Sequence, residues 1–339
     1  MTEERAVTKP INPNLKIFSG RANRPLAERI ARKLGTDLGR LFVDDFPDGE
    51  TNVRIDEDVR GRDVFIVQPT CAPVNHNLLE LLVILDAFKR ASPSRITAVL
   101  PYYAYARQDR KDTSRVPITA KLVADMVTAA GAHRVLCLDL HTAQIQGFFN
   151  IPVDHLYAWR EIVGFVRNLK VPQEDLVILS SDEGAIKKAL MYQKKLGGQI
   201  AVVDKRRSSA TKTEQAHIVG ASVDGKTVCI FDDMISTGGT IVGAARAAKL
   251  NGATKIYVLA THGVLCDRAV DKLREAPVEK IVVTDSIPIP DEKRARLPNL
   301  EVISVDELLS DAIRRIHGNE SLSVLFSDDA TPPPPARPS

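Results

Sequence analysis

Several things are scarce in this chain, and each scarcity narrows what it does. Only four cysteines occur in 339 residues (Cys71, Cys137, Cys229 and Cys266), and none stands in a CxxC spacing. That pattern argues against a disulfide framework and against a zinc site. Buried, reduced thiols of a cytoplasmic protein are the expectation. No run approaches the roughly 18 apolar residues of a membrane span, and the charged N-terminus has no apolar signal-peptide core. Neither membrane nor secretion is expected. The net charge is only +3, which gives no electrostatic case for a nucleic-acid partner. No Gly-x-Gly-x-x-Gly follows a strand. One Gly-x-x-x-x-Gly-Lys-Thr string occurs, Gly220–Thr227, but it runs into the apolar strand-like run Val228–Phe231 and not into a helix, so it lacks the context of a phosphate loop.

What is present is ordinary for a soluble globular protein: 44% hydrophobic and 26% charged residues. The length suits two domains of about 150 residues each. Residues 1–14 read as a loose, flexible arm, and 327–339, with Pro332 to Pro335, as a disordered tail. Between them, apolar strand-like runs alternate with helical patterns. The runs include Val64–Gln68, Ile96–Leu100, Arg134–Leu138, Leu176–Leu179, Ile200–Val203, Val228–Phe231, Ile256–Leu259 and Lys280–Val283. Asn77–Arg90 and Ile118–Ala130 carry helical periodicity, the second with Pro117 at its start and Gly131 past its end. Continuous apolar strands between helices predict parallel sheets covered on both faces. The expected architecture is α/β, with domains at 15–157 and 158–326.

The most informative stretch runs from Val228 to Thr240, VCIFDDMISTGGT. Four apolar residues read as a buried strand with Asp232 and Asp233 at its carboxyl end. A loop of Ser236, Thr237, Gly238, Gly239 and Thr240 leads into a helix predicted over Ile241–Leu250. The loop offers backbone N–H groups and three hydroxyls to one anion at a helix N-terminus. Two carboxylates would repel a bare phosphate. They make sense if the phosphate belongs to a molecule whose hydroxyls or bound metal they hold, and a sugar phosphate is the simplest such object.

Other polar turns follow apolar runs. Tyr102 to Asp112 puts aromatics, an amide and cations in one loop, a composition that suits a nucleotide or a solvated surface. Asp44 to Glu50 is an acidic turn. His141 stands two residues beyond Asp139 at a strand end, suited to a divalent ion, a phosphate oxygen or a purely structural bond. Asp182 fits either a Mg²⁺ ion or a helix cap at Ala185. The charged loop from Asp204 to Lys212 fits either a surface segment or a flap that brings cations to a polyphosphate.

The 228–240 string resembles the phosphoribosyl-diphosphate loop of the type I phosphoribosyltransferase fold. Nearly the whole chain, from Leu15 to Phe326, resembles the ribose-phosphate diphosphokinase (phosphoribosyl-diphosphate synthetase) family. The blocks that carry this are Phe46–Glu50, Tyr105–Asp109, Pro117–Lys121, Asp139–His141, Gln144–Phe149, Asp232–Ile235 and Ala312–His317. The resemblance implies two tandem phosphoribosyltransferase-like, Rossmann-like, parallel-sheet domains with the active site between them. It implies the Mg²⁺-dependent reaction of ATP with ribose 5-phosphate, giving 5-phosphoribosyl 1-diphosphate and AMP. By the same resemblance Phe46, Asp48, Glu50, Arg107, Gln108 and Asp112 contact ATP, and His141 and Asp182 hold metal. Lys205 and Arg207 are catalytic, and Asp232, Asp233 and Ser236–Thr240 bind ribose 5-phosphate. Gln144, Ser321 and Ser323 fall in segments resembling an allosteric effector site, and a cytoplasmic homo-oligomer, a hexamer by resemblance, is expected. The alternatives are a transferase that consumes phosphoribosyl diphosphate and a non-catalytic regulatory relative. The retained Lys205, Arg207 and His141 and the Arg107 segment argue against both. The chain departs from the family at Ser236, where most relatives carry Asp, at Pro47, and in part at 181–185.

Overall fold

A computed structural model describes residues 14–204, 217–266 and 268–326. Residues 1–13 of the expected 1–14 arm, Lys205, Arg207 and the Pro-rich tail lie outside the described residues, and Asn14 is held to the first unit, its carbonyl accepting the Asp63 N–H at 2.9 Å. The chain forms two compact units, which divide between Tyr157 and Ala158 and again between Val305 and Asp306.

The first unit is built on β1 (Leu15–Ser19), α1 (Arg24–Lys33), β2 (Leu41–Asp45), β3 (Thr51–Ile55), β4 (Asp63–Val67), α2 (Val74–Ala91), β5 (Arg95–Leu100), α3 (Thr119–Ala130), β6 (Arg134–Leu138) and β7 (Val153–Leu156). Its main sheet runs β1-β4-β5-β6-β7, every pair parallel. The strands β4 and β5 are apolar nearly throughout because both faces are covered. One face packs Val64, Ile66, Ile96 and Ala98 against Leu81, Leu85 and Phe88 of α2 and Val123 and Val127 of α3. Helix α1 starts where the Asn23 side chain accepts the Leu26 N–H, and it ends on Arg32 and Lys33, which suit the negative end of the dipole. Strands β2 and β3 pair antiparallel as a separate hairpin. The sequence alone showed only a polar turn there.

The second unit carries α4 (Trp159–Asn168), β8 (Leu176–Ser180), α5 (Ile186–Leu196), β9 (Gln199–Asp204), β10 (His217–Gly220), β11 (Thr227–Ile235), α6 (Gly239–Leu250), β12 (Lys255–Gly263), α7 (Ala269–Arg274), β13 (Lys280–Thr284), α8 (Asp291–Arg296) and β14 (Leu300–Ile303). Its sheet runs β10-β9-β8-β11-β12-β13-β14, with only β10 antiparallel. Period-two alternation sorts β11 between two cores. Val228 and Ile230 face α6, while Cys229 and Phe231 face α4 and α5. Phe231 stacks on Tyr192 with ring centroids 3.9 Å apart. Strand order reverses between β8 and β11, so the crevice beyond their carboxyl ends is where such sheets take ligands.

The predicted second domain, 158–326, needs correction at its end. Helix α9 (Asp306–His317) returns to the first unit. Its apolar stripe, Leu308, Leu309, Ala312, Ile313 and Ile316, is buried. Arg29 meets Asp306 at 3.2 Å, and Arg95 donates to the Ile316 carbonyl at 2.9 Å and to Asp63. His317 Nδ1 sits 2.7 Å from the same Asp63 carboxylate. An amphipathic stripe states that a helix must be covered, but not by which sheet.

Candidate active site

In the second unit, β11 does not stop at Phe231. It stays paired with β12 as far as Ile235 opposite Gly263, so Asp232 and Asp233 lie within the strand. This fixes both carboxylates on a rigid ladder. Lys188 of α5 reaches across, its Nζ 2.9 Å from Asp233 and 3.4 Å from Asp232. The Asp232 side chain is 25% exposed. Desolvation, reinforced by Asp233, pushes its pKa up to about 7, while the Lys188 ammonium pulls the other way. The protonated form of Asp232 is thus favoured well above the usual carboxylate range.

The turn after β11 is short. Gly238 takes the left-handed conformation (φ +72°), and α6 starts at Gly239, two residues before the predicted start. No side chain caps α6, so the helix N-terminal N–H groups are offered to whatever sits beyond them. The turn is latched from behind. Leu265 N–H donates to the Ile235 carbonyl (2.9 Å) and Cys266 N–H to the Ser236 carbonyl (3.1 Å). Ser236 Oγ lies 3.2 Å from Cys266 Sγ, and Lys272 donates to the Thr237 carbonyl at 3.3 Å. Sequence reasoning missed Lys188, Cys266 and Lys272. They come from elements far along the chain, and no local pattern marks them.

At the neighbouring strand end, Asp182 accepts the Ala185 N–H through Oδ1 (3.0 Å), the capping role foreseen as one of its two readings. Ser180 Oγ donates to the Asp182 carbonyl at 2.7 Å and tightens that turn.

In the first unit, three sequence-predicted segments occupy the ends of β2, β5 and β6. The β2–β3 turn is closed by Phe46 N–H on the Glu50 carbonyl (2.7 Å) and Gly49 N–H on the Phe46 carbonyl (2.8 Å). Phe46, Asp48 and Glu50 all stand exposed, Phe46 with 47% of its surface in solvent, a ring free to stack on a planar base. The loop after β5 places Arg107 and Gln108 at the surface, while Asp112 pairs with Arg110 at 2.8 Å. Gln108 takes a hydrogen bond from Thr119 at the start of α3. The idea that tyrosines of this loop stack on a nucleotide is overturned for two of them. Tyr102 and Tyr103 are buried, and the Tyr103 hydroxyl donates to the Ala120 carbonyl (2.7 Å). Ring area that large is more stabilising inside the core.

Beyond β6 the chain turns sharply at Asp139 (φ +39°) and exposes His141. The turn is pinned by Leu140 N–H on His155 Nε2 (2.9 Å) and by Thr142 on Asp109 (2.8 Å). Gln144 is exposed on the short 3-10 turn that follows, and Ser321 and Ser323 join by a 2.8 Å hydroxyl contact after α9.

Comparison with known proteins decides what these halves belong to. A family model described as the N-terminal domain of ribose phosphate pyrophosphokinase matches residues 15–131, and one described as a phosphoribosyl synthetase-associated domain matches 207–327. A ribose-phosphate pyrophosphokinase from Rhodopirellula baltica is 56% identical over 93% of this chain and 99% of its own length. The chain belongs to the ribose-phosphate pyrophosphokinase family. Another member, from Caldanaerobacter subterraneus, is 50% identical over 93% of this chain and 98% of its own. The crystal structure of phosphoribosylpyrophosphate synthetase from Mycobacterium smegmatis superposes with a TM-score of 0.84 at 43% identity, covering 90% of this chain and 99% of that one. The two tandem α/β units are thus the synthetase fold, as the sequence resemblance implied.

Proposed function

We propose that the chain is a ribose-phosphate diphosphokinase, transferring the β,γ-diphosphoryl group of ATP to the C1 hydroxyl of ribose 5-phosphate. The observation that carries this reading within the family is the strand β11. It holds two carboxylates on a fixed ladder immediately before a turn of small and hydroxylic residues at an uncapped helix start. Asp232 and Asp233 accept the ribose hydroxyls, and the Ser236–Thr240 turn takes the 5-phosphate. The departure at Ser236 leaves a small hydroxylic residue there and no carboxylate to repel the phosphate.

The C1 oxygen attacks the β-phosphorus in line, the bond from that phosphorus to the α,β-bridging oxygen breaks, AMP leaves, and the hydroxyl proton is released. Positioning and charge neutralisation do most of such a transfer. Phe46, Asp48, Glu50, Arg107, Gln108 and Asp112 hold the nucleotide, and Lys205 and Arg207 neutralise the moving diphosphoryl group. No group of three or more His, Cys, Asp or Glu side chains poised for a metal exists among the described residues. Single donors such as His141 and Asp182 fit Mg²⁺, which keeps several waters and is held largely through substrate phosphates. When bound there, Mg²⁺ offsets triphosphate charge and sets the phosphoryl geometry.

The four cysteines are free thiols, and no helix among the described residues is long and apolar enough to cross a membrane. With that chemistry we place the protein in the cytoplasm, in nucleotide biosynthesis, as a homo-oligomer with Gln144, Ser321 and Ser323 at an effector site. The deciding experiment gives purified protein ribose 5-phosphate, Mg²⁺ and ATP. Stoichiometric AMP supports the reading, and ADP in its place, or no turnover, ends it. ADP inhibition that stays strictly competitive with ATP would remove the effector site.

A further inference from the structure

The hairpin that carries Phe46, Asp48 and Glu50 belongs to neither large sheet. Its base is tied by the Gly39 N–H to the Ile17 carbonyl at 2.8 Å. Strand pairing to the main sheet does not fix its turn end, which Arg21 reaches at Asp45. Arg21 follows β1 at the carboxyl edge of the sheet. Its guanidinium grips Asp45, the last residue of β2 and the neighbour of Phe46, through both terminal nitrogens at 2.6 and 3.0 Å. Its Nε and its backbone N–H donate to the two oxygens of Glu80, each at 2.6 Å. A terminal nitrogen also reaches His76 Nε2 at 3.0 Å.

The anchor is firm. Glu80 lies on α2 with its side chain wholly buried, and Gln68 Nε2 donates to it at 2.9 Å. Gly20 permits the close approach. A Cβ there would stand 2.3 Å from Gln68 Oε1 and 2.8 Å from Glu80 Oε1. Arg21 thus joins a buried carboxylate on the scaffold to an exposed one on the hairpin. A planar, bidentate fork does this with little freedom left over, unlike an ordinary surface ion pair.

We propose that Arg21 is a positioning residue for nucleotide binding, clamping the Asp45 end of the hairpin to buried Glu80 and so fixing where Phe46, Asp48 and Glu50 meet ATP. This rests on the reading of that turn as a nucleotide contact. It concerns a residue whose guanidinium is engaged by Asp45, Glu80 and His76 and that the motif blocks do not include.

The test uses the full chain with Arg21→Met, Asp45→Asn, the double variant, Arg21→Lys and, as a control on the turn itself, Phe46→Ala. Asp45→Asn leaves the Arg21–Glu80 anchor intact and covers the case in which Arg21→Met fails to fold. Each single variant is expected to raise KM for ATP, and Kd for a non-hydrolysable ATP analogue, about tenfold, the equivalent of one good charge-assisted bond. The double variant should be no worse than the worse single, Arg21→Lys should fall between, and kcat and KM for ribose 5-phosphate should stay within about twofold. Additive effects, or equal loss toward both substrates, would show a general structural role and overturn the proposal. So would unchanged ATP affinity in Arg21→Met and Asp45→Asn while Phe46→Ala weakens it. If Phe46→Ala leaves ATP affinity unchanged, the nucleotide reading of the turn is what fails.

Discussion

At Asp232 the proposed binding role runs against stability. Its carboxyl is raised to about 7, first by desolvation and then by Asp233. The ionised form accepts hydrogen bonds from sugar hydroxyls at both oxygens and more strongly than the neutral acid, so kcat/KM for ribose 5-phosphate should rise with pH and level off above about 7. A flat profile from pH 5.5 to 8.5, in roughly unit steps around that value, would remove the assignment. The sign for folding is opposite. Between the ordinary 3.8 and about 7 the folded protein keeps a proton that the unfolded chain has released, so stability falls as pH rises through that window. Asp232→Asn should therefore raise the melting temperature by a few degrees at pH 8, have little effect at pH 4, and lose ribose 5-phosphate binding. Lys205 lies outside the described residues, and its role rests on family resemblance. Lys205→Ala should retain ATP binding by calorimetry while kcat falls on the order of 10³-fold or more.

At the scale of the element, the strand–turn–helix of β11 and α6 works because Gly238 turns the chain in a conformation that residues with a Cβ avoid. Space is not the constraint, since a Cβ there would meet Leu273 and Ala269 only at ordinary contact distances of 3.6 and 3.9 Å. Gly238→Ala should cost about 1–2 kcal/mol of stability by urea titration through backbone strain. Because relaxation tilts the N–H groups at the start of α6, KM for ribose 5-phosphate should rise several-fold while that for ATP holds. A variant with normal KM would mean the turn does not grip the phosphate. The start of this helix was legible to within two residues. The full length of β11 was not, because its two aspartates break the apolar run and only pairing with β12 reveals that the ladder continues.

Across the whole molecule, α9 closes the first unit although it follows the second in the chain. Ile313 is wholly buried in its stripe. Ile313→Ala should destabilise by about 2–5 kcal/mol, the sum of lost transfer energy and a residual cavity. Hydrogen exchange locates the effect: protection should drop in β1, β4 and α1 and persist in β8 and β11. Equal loss in both units would contradict the assignment of α9 to the first.

The sequence by itself determined the α/β class, most of the parallel strands, the first boundary to within a few residues, and the strand–turn–helix order of Val228 to Leu250. Each depends on neighbours in the chain, where period, apolar runs and turn chemistry act locally. Tertiary structure alone decided that Tyr102 and Tyr103 are core rather than stacking platforms, that Lys188 counters the aspartate pair, that α9 folds back, and that Arg21 spans from β1 to Asp45 and Glu80. Those outcomes bring together residues dozens to hundreds of positions apart, and only burial and the pairing of charges in space choose among the partners that a linear pattern leaves equivalent.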